Sequence, residues 1–163
     1  MLYEVEGDIL LTRAQVIAQG VATYDPMNRG LSKKLHERYP VMVTAFNEWC
    51  DMSNPELGAL WLWGDPDKLL VLNMVTHEGD IDDPTRTGRA SKIAVHRCLR
   101  ALAKMVVDEK LKSISMLKLG TGFGGLDWFE VRGMMHSQLG ELLIPIFVYV
   151  TELDGQIASE LGM

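Results

Sequence analysis

Near the end of the chain, Ile144 to Val150 reads IPIFVYV, a run almost without polar interruption. A strand of that composition is covered on both faces, because a strand with one wet face alternates apolar and polar residues instead. Two covering layers imply helices on either side of a sheet. The rest of the chain supplies the elements. LYEVEGDIL alternates and predicts a first strand ending near Glu6, Gly7 and Asp8. Ala14 to Ala22 (AQVIAQGVA) reads as a second strand, with a helix in competition because its residues are small. Leu31 and Leu35 start a short helix that stops before Pro40, and Pro40 opens another with Val43, Phe46 and Cys50 on one face. ALWLWG and KLLVLNMV, split by DPD, form a hairpin. Val95, Leu99, Leu102 and Val106 then mark a long helix, SISMLKL a strand, and Val131, Met135, Leu139 and Leu142 a last helix. The order predicts a three-layer α/β/α sandwich around a mixed central sheet.

The length, 163 residues with 47% hydrophobic content, suits one domain, with a core over about 4–150 and a tail, 151–163, that is either a short helix or frayed. No apolar run approaches the ~18 residues that span a bilayer, and MLYEVEGDILL lacks a signal peptide's order, so a cytoplasmic protein without membrane contact is expected. Cys50 and Cys98 lie in apolar helical surroundings and read as buried free thiols, and no metal is implied. A net charge of −6 argues against a broad nucleic-acid footprint. TRTGRASK, with Arg86, Arg89 and Lys92, is a local basic strip that reads as a solvated loop or as contacts to a phosphate. It ends the polar loop 76–88, THEGDIDDPTRTG, whose length marks it as functional or disordered. Its carboxylates Asp80, Asp82 and Asp83 read as a solvated charge run.

The stretch KLGTGFGGLDW, Lys118 to Trp128, carries the strongest chemical signal. Gly120, Gly122, Gly124 and Gly125 crowd into six positions between a buried strand and a helix. Such a turn lets backbone amides approach an anion, and the helix end adds partial positive charge. The glycines also fit the dinucleotide fingerprint G-x-G-x-x-G. That fingerprint opens a βαβαβ half, however, and only one strand remains after it here, which argues against a Rossmann site. A second turn of similar kind occurs at MNRGLSKKL, where Gly30 stands at a helix mouth beside Asn28 and Arg29. Two such mouths on one sheet edge would suit a diphosphate.

Taken together, VEGDIL, MNRGLSKKLHERYP, LLVLNMVT and LGTGFGGLDWFEVRGMM resemble, in order and spacing over about 4–150, the macrodomain, the ADP-ribose-binding module. The glycine loop with Leu126, Asp127 and Trp128 most resembles the branch that includes antitoxins of DNA ADP-ribosylation systems. The resemblance implies that Asp8 accepts from the adenine amino group with the Ile9 backbone nearby, and that Thr151 lies near the adenine edge. It implies that Met27, Asn28, Arg29, Gly30 and Leu31 follow the diphosphate and distal ribose, and that Gly120, Thr121, Gly122, Phe123 and Gly124 hold the phosphates. Where active relatives carry an asparagine, this chain has Ala22 or Thr23. Where many carry a lysine, it has His77, a candidate general acid or base. A related branch's aspartate in the glycine loop is Gly124. Two functions stay open: a binder of ADP-ribose, free or attached to DNA or protein, and an ADP-ribosyl hydrolase acting in a toxin-antitoxin or defence setting. The implied ligand is ADP-ribose, with no other cofactor, and a monomer is expected.

Overall fold

Each strand of the sheet turns one face to one pair of helices and the other face to the other pair, and this alternation is legible in the burial. The computed structural model describes all residues except 66, 80, 81, 84–87, 123 and 163. The strands are β1 (Leu2–Gly7), β2 (Val16–Ala22), β3 (Leu60–Gly64), β4 (Leu70–His77), β5 (Ile114–Leu117) and β6 (Ile146–Glu152). They form one sheet in the order β1-β6-β5-β2-β4-β3. All neighbours are parallel except β3, which pairs antiparallel with β4 as the hairpin predicted. The sheet is therefore mixed.

The helices are α1 (Gly30–Arg38), α2 (Pro40–Ser53), α3 (Lys92–Asp108) and α4 (Trp128–Leu139). On one face Val16 and Ala18 of β2, Leu72 and Met74 of β4 and Ile146 and Val148 of β6 pack with Val95, Leu99 and Leu102 of α3 and Val131 and Met135 of α4. On the other face Ile17 and Val21, Val71, and Phe147 and Tyr149 from the same strands meet Leu31 and Leu35 of α1 and Val43, Phe46 and Cys50 of α2. The period of two along each strand thus feeds two cores, and the result is the expected three-layer sandwich. Both cysteines are buried and free, and burial pushes the Cys98 thiol up to about 12. Among the described residues, no helix is long and apolar enough to cross a membrane, and no group of three His, Cys, Asp or Glu side chains is placed to hold a metal ion.

One open alternative is decided and two expectations need correction. The helical alternative for segment 14–22 is absent: Val16 to Ala22 is a strand, and small residues fit there because helices close on both faces. Leu142 lies beyond α4, past a turn at Gly140 and Glu141, although it still packs against the α3/α4 core. Among the described residues, the segment beyond β6 forms no helix and is tied down. Leu153 N donates to Gly7 O at 2.9 Å and Asp8 N to Gln156 O at 2.7 Å, which straps the segment across the end of β1. Glu160, 6% exposed, then anchors it. Its carboxylate accepts from Arg13 N at 2.8 Å, Ser115 Oγ at 3.1 Å, Tyr149 Oη at 3.0 Å and the Thr12 hydroxyl.

Candidate functional site

Parallel strands deliver their C-terminal ends to one rim, and ligands of such sheets collect there. At this rim β2, β4 and β5 are adjacent, so the loops that leave them converge. A cavity of about 200 Å³ opens between these ends, walled on one side by Asn28 to Ser32 and on the other by Leu117 to Gly120, Gly122 and Gly124. The loop after β2 and the loop after β5 face each other across it. Asp25, Thr76 and His77 complete the wall, and Ala18, Gln19 and Gly20 of β2 form its base.

The first wall is the mouth of α1. The first turn of a helix leaves amides without intrahelical acceptors. Among the described residues no side chain caps α1, and its first turn holds no acidic residue. Gly30 sits at φ +52°, a left-handed conformation suited to glycine, and a Cβ there would meet nothing within 4 Å. Gly30 also lines the cavity. The opposite wall is the glycine turn, whose conformation is set by its own hydrogen bonds: Thr121 N and Oγ1 donate to Lys118 O, Gly125 N to Gly122 O and Leu126 N to Gly120 O. Gly124 is confined, since a Cβ would stand 2.4 Å from Gly120 O and 2.7 Å from Ala90 Cβ. Gly122 is the opposite case, with nothing within 4 Å of that position. Two glycines on two loops, each with open space at its Cβ position, thus border one cavity, and the helix end adds positive potential to it.

His77 stands at the end of β4, half-buried, with Nδ1 3.0 Å from Thr76 Oγ1. Burial holds its imidazole below the usual histidine range; Asp25 opposes this shift and Arg29 adds to it. The ring is therefore neutral near pH 7, with a nitrogen able to take a proton. Asp25 is held rigidly, Oδ2 accepting from Ala22 N at 2.9 Å and Oδ1 from Met27 N at 2.8 Å.

Of the residues singled out in the sequence, Asn28, Arg29, Gly30, Leu31, His77, Gly120, Gly122 and Gly124 line this cavity. Ala22 and Met27 are fully buried beside it, and Met27 belongs to the α1/α2 core. Thr23 faces a neighbouring open groove with Glu78 and Gly79, its Oγ1 accepting from Gly79 N at 3.0 Å. Thr121 is spent on the turn. Phe123, like Asp80 and Arg86, lies outside the described residues. Asp8 and Ile9 are not on the cavity wall: Ile9 is buried, and Asp8 caps a 3-10 turn through Leu10 N at 3.0 Å while its other oxygen accepts from Gly155 N at 2.9 Å. Thr151 lies inside β6, not beyond it, because that strand runs two residues further than its apolar run; its hydroxyl donates to Glu6 at 3.2 Å. From the basic strip, Lys92 pairs with Glu130 at 2.5 Å.

Sequence reasoning passed over Asp25, Gln19, Ser32 and Thr76, and treated Lys118 only as part of a motif. For Gln19 a signal existed: it is a lone polar residue in the otherwise apolar strand VIAQGVA. Asp25 offered none, since Asp before Pro is ordinary loop chemistry.

No family model matches the chain. It is 28% identical over 158 residues, 90% of its length, to a DNA ADP-ribosyl transferase-DNA ADP-ribosyl glycohydrolase fusion protein of Thermosipho africanus, and it spans 41% of that relative. The macrodomain of Thermus aquaticus DarG superposes with a TM-score of 0.80 at 22% identity, covering 92% of this chain and 98% of that one. Thermosipho africanus DarTG in complex with ADP-ribose gives 0.80 at 24% identity, covering 96% of this chain and 42% of that one. The fold is the macrodomain fold.

Proposed function

We propose that this chain, as a macrodomain fold with an open two-loop cradle, binds ADP-ribose, free or carried on DNA or protein. The observation that carries the reading is the pair Gly30 and Gly122, on facing walls of one cavity, each with empty space where a side chain would be. Backbone amides beside such glycines suit the diphosphate, which needs donors at close range more than it needs cations. Asn28 and Arg29 then lie along the distal ribose, and Arg29 adds a charge-assisted donor. The adenine extends towards Asp8 and Ile9, beyond the cavity proper. Asp8 keeps lone pairs for an amino group, since a carboxylate has about four acceptor sites and two are engaged. The similarity to a relative named for DNA ADP-ribosyl glycohydrolase activity supports DNA as the carrier of the group.

One observation favours a second reading, hydrolysis. A neutral His77 on the cavity wall beside Asp25 can take a proton from water as the oxygen attacks the distal ribose carbon and the glycosidic bond breaks; the leaving atom takes a proton from solvent, and the imidazolium returns its own to solvent. Calorimetry with ADP-ribose tests the first reading, with micromolar binding expected, on the order of 8 kcal/mol. Absence of heat and of competition at millimolar ligand would end it. Incubation with ADP-ribosylated oligonucleotide and protein tests the second: release of ADP-ribose that disappears in His77→Ala makes the chain an enzyme, and no release by the native chain leaves a binder.

A further inference from the structure

The face of the sheet covered by α1 and α2 is apolar at Ile17, Val21 and Val71, yet two amides interrupt it at directly paired positions, Gln19 of β2 and Asn73 of β4. Gln19 is 4% exposed and Asn73 is fully buried. They are satisfied as a chain: Gln19 Nε2 donates to Asn73 Oδ1 at 2.8 Å, and Gln19 Oε1 accepts from Ser32 Oγ at 2.8 Å. Met27 Sδ and Met42 Sδ stand 3.9 Å from Gln19 Nε2 and Asn73 Nδ2. Two aliphatic side chains would fill the same face without any bonding requirement, and buried amides lose stability whenever a partner is missing. What the amides add is direction.

The outer end of the chain of bonds explains that direction. Ser32 is in the first turn of α1 and on the cavity wall. The buried residues that anchor α1 are Leu31 and Leu35, and leucine packing fixes which face of the helix turns inward but, being non-directional, tolerates small slides and rotations. A hydroxyl bonded to a strand amide restricts those small movements. We infer that Gln19 and Asn73 are positioning residues that lock the mouth of α1, so that the amides of its first turn point into the cavity; the ligand assigned to that cavity is the one proposed above. Asn73 does this from the neighbouring strand without lining the cavity, so its effect passes through Gln19 and Ser32.

The test compares the full chain with Asn73→Leu, Gln19→Leu/Asn73→Leu and Ser32→Thr. Measured are ADP-ribose affinity, the melting temperature, and amide hydrogen exchange of Lys33 and Lys34 without ligand. The double variant, which leaves no orphaned amide, should melt no lower than the native chain while binding ADP-ribose at least ~10-fold more weakly. Its Lys33 and Lys34 amides should exchange ~10-fold faster while those of β2 and β4 keep their protection. Asn73→Leu should shift affinity and exchange in the same direction, and Ser32→Thr, which keeps the hydroxyl, should retain native values. Native exchange in the double variant would overturn the inference, as would a loss of affinity seen only together with a matching fall in melting temperature. If the native chain fails to bind ADP-ribose, the assignment of the ligand falls, while the exchange measurement still decides whether the amides position the helix.

Discussion

At the scale of single residues, two glycines of the same turn illustrate opposite demands. Gly122 borders empty space, so Gly122→Glu should fold normally and place a carboxylate in the cradle where an anion is expected. Calorimetry should show ADP-ribose affinity reduced more than ~100-fold, roughly 3 kcal/mol, with little change in melting temperature. Gly124 has no such freedom: Gly124→Ala drives a methyl group against Gly120 O and Ala90 Cβ, and urea unfolding should register a loss of about 1–3 kcal/mol. The sequence shows both as letters of one motif. Only the distances separate the glycine that admits a ligand from the glycine that closes the turn. His77 was legible as a candidate because of its residue type, and Arg29 as part of the helix mouth; Asp25 was not, and neither was the approach of both to His77, because their loop lies about fifty residues away in the chain.

At the scale of elements, α1 and the end of the chain are the informative pieces. Helix boundaries followed from local signals: Pro40 at the start of α2, Ser91 accepting from Ala94 N at 2.9 Å before α3, and Asp127 accepting from Glu130 N at 3.3 Å before α4. The terminal strap had no local signal, since its order comes from contacts with Gly7, Asp8, Thr12 and Ser115 far away in sequence. A Cβ on Gly7 would stand 2.9 Å from Ala158 Cβ and Gln156 O, which shows how closely the strap approaches β1. Glu160 is its anchor. Replacing it, Glu160→Ala, leaves Arg13 N and the Tyr149 hydroxyl without their acceptor, and chemical denaturation should report a loss of about 2–4 kcal/mol. An unchanged denaturation midpoint would show that the Glu160 anchor contributes nothing to stability.

At the scale of the whole molecule, stability and site share a titrating group. The folded chain holds His77 below its ordinary value of 6.5. As pH falls below that value, the unfolded chain takes up the proton first, so stability present above about pH 6.5 is lost towards lower pH. Urea unfolding at about pH 7.5 and about pH 5.5 should show this slope, and His77→Gln should flatten it. An equal slope in both proteins would assign the effect to other groups. The sequence by itself determined most of the strands and helices, because periods of two and 3.6 and the capping residues act within a few residues of chain; segment 14–22 and the tail were decided by packing. It also determined that two glycine-bearing turns exist. The tertiary structure alone decided that they meet. The sheet order sets β2 beside β5, although about ninety residues separate them. That adjacency is chosen by how apolar faces pack across three layers, a long-range energy that no local propensity encodes.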